Sequence, residues 1–362
     1  MGEKIVQKDL AWSLKQINKH GPDAFYNGKI AEKIVSDMNE NDGLITADDL
    51  SSYKPVIRKP IYGTYRGYEI YSMPPPSSGG IHLIQILNML EHFDISNIGH
   101  NNSRSVHIIA EAMKLAYADR SKYLGDSDFV QVPISELTSK KYAKYLSKKI
   151  NLNKSTPSKN IGPGNPYIAG GNDTTHFTVI DKSGNVVSNT YTINFSYGSK
   201  IMAKGTGILL NNEMDDFSAK PGVPNAYGLV GGEFNAIEPE KRMLSSMSPT
   251  IVLKDKKPFL ATGSPGGSRI ITTVLHIISN VIDHKMNIAT ATASPRFHHQ
   301  WLPDILFMES GFSNDTNKIL EKKGHEIKVG RAMGSTQSIM KIGDYYYGYS
   351  DPRRAGGLTK GY

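Results

Sequence analysis

The sequence predicts an α/β (α+β) fold in which two sheets are flanked by helices, an order that an αββα sandwich accommodates. Three observations carry this. Apolar residues in the first half recur mostly at helical spacing, and those in the second half alternate as paired strands. Between the halves, residues 155–171 are rich in Ser, Pro, Gly and Asn.

Leu10, Leu14 and Ile17 repeat at helical spacing, and His20-Gly21-Pro22 ends that helix. Ile30, Ile34 and Met38 mark a second. Thr46-Ala47-Asp48-Asp49 starts a short third, with Thr46 as N-cap and Asp49 in place of the usual Glu or Gln of a capping box. Residues 61–72 alternate as strands, and 81–90 and 105–123 follow as amphipathic or buried helices. The stretch 155–171 reads as a flexible linker. Beyond it, hairpins are expected at 175–195, 249–263 and 338–350, and helices at about 268–283 and 313–323. No repeat at a fixed period is evident.

With 362 residues, 38% of them hydrophobic, the chain buries a substantial core as one large or two intimate units. Forty-two basic residues against 34 acidic give a net charge of +8, which raises the question of nucleic acid. Lys140, Lys141, Lys144, Lys148 and Lys149 instead read as a solvated helix face without interleaved aromatics, so no nucleic-acid partner is expected. The absence of cysteine excludes disulfides, thiolate metal sites and a cysteine nucleophile. No stretch approaches the ~18 apolar residues of a membrane span, and the first residues lack the apolar core of a signal peptide. His298-His299 beside Trp301 suggests a metal, but adjacent histidines on one element point apart and no third ligand follows. They are read as packing or hydrogen-bonding residues, and no metal or cofactor is expected. Asp119-Arg120 reads as a structural helix ion pair.

Residues 173–179, Asp-Thr-Thr-His-Phe-Thr-Val, are the most informative. They look like a place where the chain cuts itself between Asp173 and Thr174 to expose a new amino terminus. A threonine hydroxyl needs an adjacent proton acceptor, and a terminal threonine carries one on its own α-nitrogen, whose pKa of roughly 7.7–8.0 suits a general base. The triplet also fits the plain opening of a strand. Val186 to Phe195 returns as the partner strand and carries Thr192 and Asn194 alongside.

Gly263-Ser264-Pro265-Gly266-Gly267-Ser268 stands between a strand and an apolar helix. The amides of Gly266 and Gly267 at a helix start suit an oxyanion, and a tight strand-to-helix turn is the other reading. The spacing of a phosphate loop is not met. Glu213 and Asp216, with Asn194, suit a substrate ammonium, and Ser245 and Ser246 suit a carboxylate. An ordinary solvated loop and an ordinary serine turn remain open for them. Residues 221–232, Gly- and Pro-rich around Tyr227, fit either a movable lid or a surface loop.

These residues resemble the γ-glutamyltransferase family of N-terminal-nucleophile hydrolases over nearly the whole chain. The blocks that carry the resemblance are residues 71–80, 116–120, 174–177, 190–194, 209–217, 244–250, 263–269 and 351–353. The resemblance implies the N-terminal-nucleophile αββα sandwich, here incomplete at the N terminus. Family members carry a long region ahead of the point where this chain starts, expected to supply core strands and an arginine for the substrate's α-carboxylate. The resemblance makes Thr174 the nucleophile, with Thr192 as its hydrogen-bonding partner and Gly266 and Gly267 as oxyanion donors. It places Asn194, Glu213, Asp216, Ser245 and Ser246 in a glutamyl pocket and makes Tyr227 the lid residue, reaching toward Asn194. Residues 1–173 become the end of a large-subunit segment and 174–362 the small-subunit catalytic segment, the two processed fragments staying associated. The implied activity is cleavage of the γ-glutamyl bond of glutathione and related compounds, with transfer to water, an amino acid or a peptide, in the periplasm or outside the cell. Two other readings stay open. One is a same-fold acylase acting on a β-lactam side chain or on polyglutamate, although Glu213, Asp216, Ser245 and Ser246 argue against the β-lactam form. The other is a catalytically impaired fragment or subunit that binds glutamyl ligands or a partner.

Overall fold

The structure is a computed structural model that describes residues 2–165 and 175–361, with the side chain of Thr175 left undescribed. It divides into two units, Met1–Arg58 with Ile193–Glu213, and Lys59–Thr192 with Met214–Tyr362. Asp173 and Thr174 lie outside the described residues.

The first unit contains the helices Lys8–His20, Asp23–Tyr26, Lys29–Glu40 and Ala47–Ser52. Ala24, Ile30, Ile34 and Met38 are buried together with Ala203, as the i, i+4, i+8 spacing of Ile30, Ile34 and Met38 on Lys29–Glu40 requires. Gly21 ends the first helix at φ +66°, a left-handed conformation that glycine adopts without strain. The capping box forms as expected, with the Asp49 amide on Thr46 Oγ1 at 3.2 Å and the Thr46 amide on Asp49 Oδ2 at 2.8 Å. Ser13 Oγ donates to the Thr206 carbonyl at 2.7 Å, which ties the returning segment to the first helix.

The second unit is built on a six-stranded antiparallel sheet, in the order Ile61–Tyr65, Tyr68–Ser72, Thr250–Lys254, Lys257–Thr262, Gln337–Ile342 and Tyr345–Ser350. Ile70, Val252, Leu260 and Met340 pair across four adjacent strands and so share one face. They are buried in one cluster with the helices Gly79–Leu90, Ser103–Tyr123 and Arg269–Ile282. Each such side chain stabilises by about 1.5–3 kcal/mol relative to exposure. Every residue of Gly79–Leu90 is buried, which explains its continuous apolar run. Against the sheet packs the hairpin Thr175–Ile180/Val186–Tyr191. Thr178 Oγ1 donates to the Gln337 carbonyl at 2.9 Å and Ser188 Oγ to the Thr262 carbonyl at 3.2 Å. The alternate residues Phe177, Val179, Val187 and Tyr191 are exposed. Helices, a large sheet and a second small sheet are thus layered as the pattern predicted.

Four expectations are corrected. The second hairpin strand ends at Tyr191 rather than Phe195, and Asn194 has φ +70°, a left-handed conformation incompatible with a strand. Residues 155–165 are pinned rather than flexible. The Ser155 amide donates to the Lys323 carbonyl at 2.7 Å, Ser158 is held by Asp304 at 2.8 and 2.7 Å, and Trp301 Nε1 donates to the carbonyls of Ser158 and Ile161 at 3.0 and 2.8 Å. Small polar residues without periodicity here satisfy buried polar groups, a role that composition does not distinguish from a linker. Asp119 is not held as half of a helix ion pair. Its buried carboxylate accepts from Gln85 Nε2 at 2.6 Å, Tyr142 Oη at 2.9 Å and the Gly164 amide at 2.7 Å, because residues adjacent on a helix diverge. Finally, a mixed sheet of Phe297–His298, Leu306–Glu309 and Ile327–Gly330 joins the expected hairpins, its parallel pair bridged by the helix Asn314–Lys322. The Asp351-Pro352-Arg353 run is fixed by buried ion pairs of Arg296 with Asp351 and of Arg353 with Glu309, each 2.6 Å.

Candidate active site

Four segments leave the central strands of the six-stranded sheet at the same end, because antiparallel neighbours alternate their termini. Tyr68–Ser72 runs out into residues 73–80, and Thr250–Lys254 is entered from 244–248. Lys257–Thr262 runs out into 263–268, and Gln337–Ile342 is entered from 334–336. Ser72, Thr250, Thr262 and Ser338 close this end with buried hydroxyls, bonded in pairs at 2.9 and 2.7 Å.

Ser245 and Ser246 sit here and are buried. The Ser245 carbonyl accepts from Ser77 Oγ at 3.0 Å and from the Ser78 amide at 2.9 Å, and the Ser245 amide donates to the Pro76 carbonyl at 2.8 Å. Ser77 Oγ also reaches the Met247 carbonyl at 2.8 Å. A Cβ on Gly79 would overlap that same carbonyl, so the Ser77-Ser78-Gly79-Gly80 turn needs glycine for close approach. Two blocks about 170 residues apart in sequence thereby form one structure. Ser77 and Ser78 stand in a block that the sequence pointed to, but their role as props of the twin serines was not legible.

Gly266 and Gly267 have φ +142° and +66°. Their carbonyls start the following helix by accepting from the amides of Arg269 at 3.2 Å and Ile270 at 3.0 Å. Among the described residues neither glycine's own amide donates to a protein acceptor. Two amides at positive φ ahead of a helix start, with no acceptor among the described residues, have the geometry that suits an anion. The turn is braced by Ser264, whose Oγ accepts from the Ser335 amide at 2.9 Å.

The strand that begins at Thr175 opens at this same end. His176 packs its ring on Gly263, the first residue of the glycine turn. His176 Nε2 donates to Thr178 Oγ1 at 2.8 Å, since that hydroxyl already donates to the Gln337 carbonyl, and Nδ1 faces Thr190 Oγ1 at 3.0 Å. Burial lowers its pKa to about 4. Neutral and with both nitrogens engaged, His176 is a structural residue. Thr192 follows the end of the partner strand and is half-buried.

The acidic candidates are buried rather than solvated, which removes the ordinary-loop reading. Asp216 is 1% exposed and Glu213 9%. The turn Glu213–Asp216 is shaped by Asn211 Oδ1, which accepts from the Glu213 amide at 2.8 Å, and by Asn235 Nδ2, which donates to the Asp216 carbonyl at 2.8 Å. In the first unit, Asn194 Nδ2 donates to the Asn212 carbonyl at 3.1 Å.

Residues 221–232 form a hydrogen-bonded tongue rather than an irregular loop. Pro224 and Val230 form a bridge, and the Gly222 amide donates to the Gly231 carbonyl at 2.9 Å. Asn225 Oδ1 accepts from the amides of Tyr227 and Leu229 at 3.0 and 3.1 Å. Leu229 is buried and Tyr227 packs on the core.

His298 and His299 are held by protein partners, His298 by Thr272 and Gln300 at 2.9 and 3.0 Å and His299 by Asp304 at 3.3 Å. Among the described residues His107, Glu111 and His325 have donor atoms close enough to share a cation. His107 Nδ1 is instead bonded to His325 Nε2 at 2.7 Å, and the Lys114 ammonium is paired with Glu111. A fixed positive charge in that position repels a metal ion.

A family model described as gamma-glutamyltranspeptidase matches residues 1–360. The glutathione hydrolase proenzyme of Escherichia coli (strain K12) is 59% identical over 364 residues, covering 100% of this chain and 62% of that protein. The chain therefore spans less than two thirds of that relative's length. A solved acivicin-inhibited gamma-glutamyltranspeptidase is 58% identical, with a TM-score of 0.50 over 50% of this chain and 100% of the solved one. A cephalosporin acylase from Bacillus halodurans is 26% identical, with a TM-score of 0.85 over 98% of this chain and 63% of that one. Among the described residues no helix is long and apolar enough to cross a membrane.

Proposed function

Because the chain belongs to the gamma-glutamyltranspeptidase family, we propose that it is a self-processing enzyme whose nucleophile is Thr174. In maturation, Thr174 Oγ attacks the Asp173 carbonyl carbon and the Asp173–Thr174 C–N bond breaks, which leaves an ester and a free α-amine. Water then cleaves the ester, giving segments 1–173 and 174–362 that remain associated. In turnover, the α-amine takes the Oγ proton as Oγ attacks the γ-carbonyl carbon of glutathione or a related compound. The leaving amine departs with that proton. Water or the amino group of an acceptor resolves the glutamyl ester.

Thr192 is assigned as the hydrogen-bond partner of Thr174, and Gly266 and Gly267 as donors to the tetrahedral oxyanion, where one donor is worth on the order of 3 kcal/mol of barrier. Asn194, Glu213 and Asp216 are assigned to the α-ammonium, Ser245 and Ser246 to the α-carboxylate, and Tyr227 to a lid over the ester. The observation that carries this reading is the shared edge: the strand that opens at Thr175, the glycine turn and the twin serines meet at one end of one sheet. We infer export to the periplasm or beyond the cell from the family resemblance alone.

The likeness to a cephalosporin acylase across 98% of the chain favours one second reading, an acylase with the same nucleophile and a different acyl group. Release of p-nitroaniline from a γ-glutamyl-p-nitroanilide substrate, measured beside Thr174→Ala, tests the first reading. Equal release by the two proteins would defeat it. Turnover of an acyl β-lactam with none of the γ-glutamyl substrate would favour the second.

A further inference from the structure

Gln300 is buried between two parts of the candidate site. Its Nε2 donates to the Tyr227 carbonyl at 3.1 Å and to the Leu302 carbonyl at 3.2 Å. Its Oε1 accepts from Ser268 Oγ at 2.8 Å and from His298 Nε2 at 3.0 Å. These four bonds fix the amide orientation, because the carbonyls need its donors and the hydroxyl and imidazole need its acceptor. Ser268 follows Gly267 directly, begins the helix Arg269–Ile282, and is held from the other side by Tyr117 Oη on its carbonyl. His298 is fixed in turn by Thr272 at 2.9 Å, one turn into that helix. Gly228, beside Tyr227, has φ +73° and lies against Gln300 Nε2.

We infer that Gln300 is a positioning residue that ties the tongue 221–232 to the glycine turn, so that the seat of Tyr227 and the orientation of the Gly266 and Gly267 amides are set together. The inference rests on the proposed function in assigning those two parts to the acyl ester. A purely structural glutamine would brace one segment. This one gives one donor bond to the tongue, at the Tyr227 carbonyl, and takes one acceptor bond from the turn, at Ser268.

The test uses the full-length protein with Gln300→Met, which keeps the volume and removes all four bonds, and Ser268→Ala, which cuts only the turn side. Hydrogen–deuterium exchange should speed up in peptides covering 221–232 by about fivefold in Gln300→Met, the equivalent of one lost neutral hydrogen bond. It should speed up in the same direction and by less in Ser268→Ala, with peptides of the six-stranded sheet unchanged in both. Partition of the glutamyl ester should shift at least about twofold toward water over an amino-acid acceptor. Unchanged tongue exchange, or acceleration equally across the sheet, overturns the inference. A wild-type protein that turns over no γ-glutamyl substrate defeats the proposed function, and the exchange result still decides the role of Gln300.

Discussion

The imidazole of His176 lies against the α-carbon of Gly263, and no room is left there for a side chain. This contact joins the strand that opens beside Thr174 to the first residue of the glycine turn. Gly263→Ala should therefore destabilise the protein by about 1–3 kcal/mol, as overpacking does. The cost should shrink when His176→Ala is added. Guanidinium unfolding of the two single variants and the double variant checks this, and strictly additive effects would show that the contact carries no strain.

Burial lowers the pKa values of His82 and His298 to about 3 and of His100, His176 and His276 to about 4. A folded-state value below the unfolded value near 6.5 gives stability that is present above pH ~6.5 and lost as pH falls through ~4. Asp119 works in the opposite direction. Burial raises its pKa to about 6, so the stability it contributes is present at low pH and lost as pH rises through ~6. Five histidines outweigh one carboxylate, and the melting midpoint should fall between pH 7 and pH 5. Circular dichroism melts decide the point, and a flat or rising midpoint toward acid would contradict it.

Ser77 props the twin serines through the carbonyls of Ser245 and Met247. Ser246→Ala should raise KM for a γ-glutamyl substrate about tenfold, as expected for a hydrogen bond to a charged group. Ser77→Ala should raise it by less, through displacement of the turn. Steady-state kinetics on both variants reads this, and an unchanged KM in Ser246→Ala would remove that residue from substrate binding.

Trp301 Nε1 serves the carbonyls of both Ser158 and Ile161. Trp301→Phe should cost about 1–3 kcal/mol by removing the indole donor from the Ile161 carbonyl, while Ser158 keeps the Ile161 amide, and should speed protease cleavage within residues 155–165. Cleavage there at the wild-type rate would show that other bonds hold the segment.

Much of this was legible in the sequence, for identifiable reasons. The Thr46 cap, the Ile30–Ile34–Met38 stripe and the hairpins at 175, 250 and 338 are written in local pattern, and local pattern formed them. Tertiary satisfaction was not legible. The polar stretch 155–165 resembles a linker until Trp301 and Asp304 are seen to hold it. The adjacency of Asp119 and Arg120 suggested a pair, while the partners of Asp119 come from three distant segments. Asn194 continued a β pattern by composition, and only its left-handed backbone shows that the strand has ended. In the site, glycines and serines announced themselves as motifs. Gln300, whose four bonds span distant segments, carried no sequence signal.

Self-processing comes down to the Asp173–Thr174 peptide bond, and intact-mass spectrometry of the purified protein reads its state in one spectrum. Cleavage ahead of Thr174 gives two species whose masses sum to the precursor plus one water, the second beginning Thr174-Thr175-His176, and Thr174→Ala gives a single uncut species. An active preparation that contains only the uncut chain, or one cut at another bond, would contradict it.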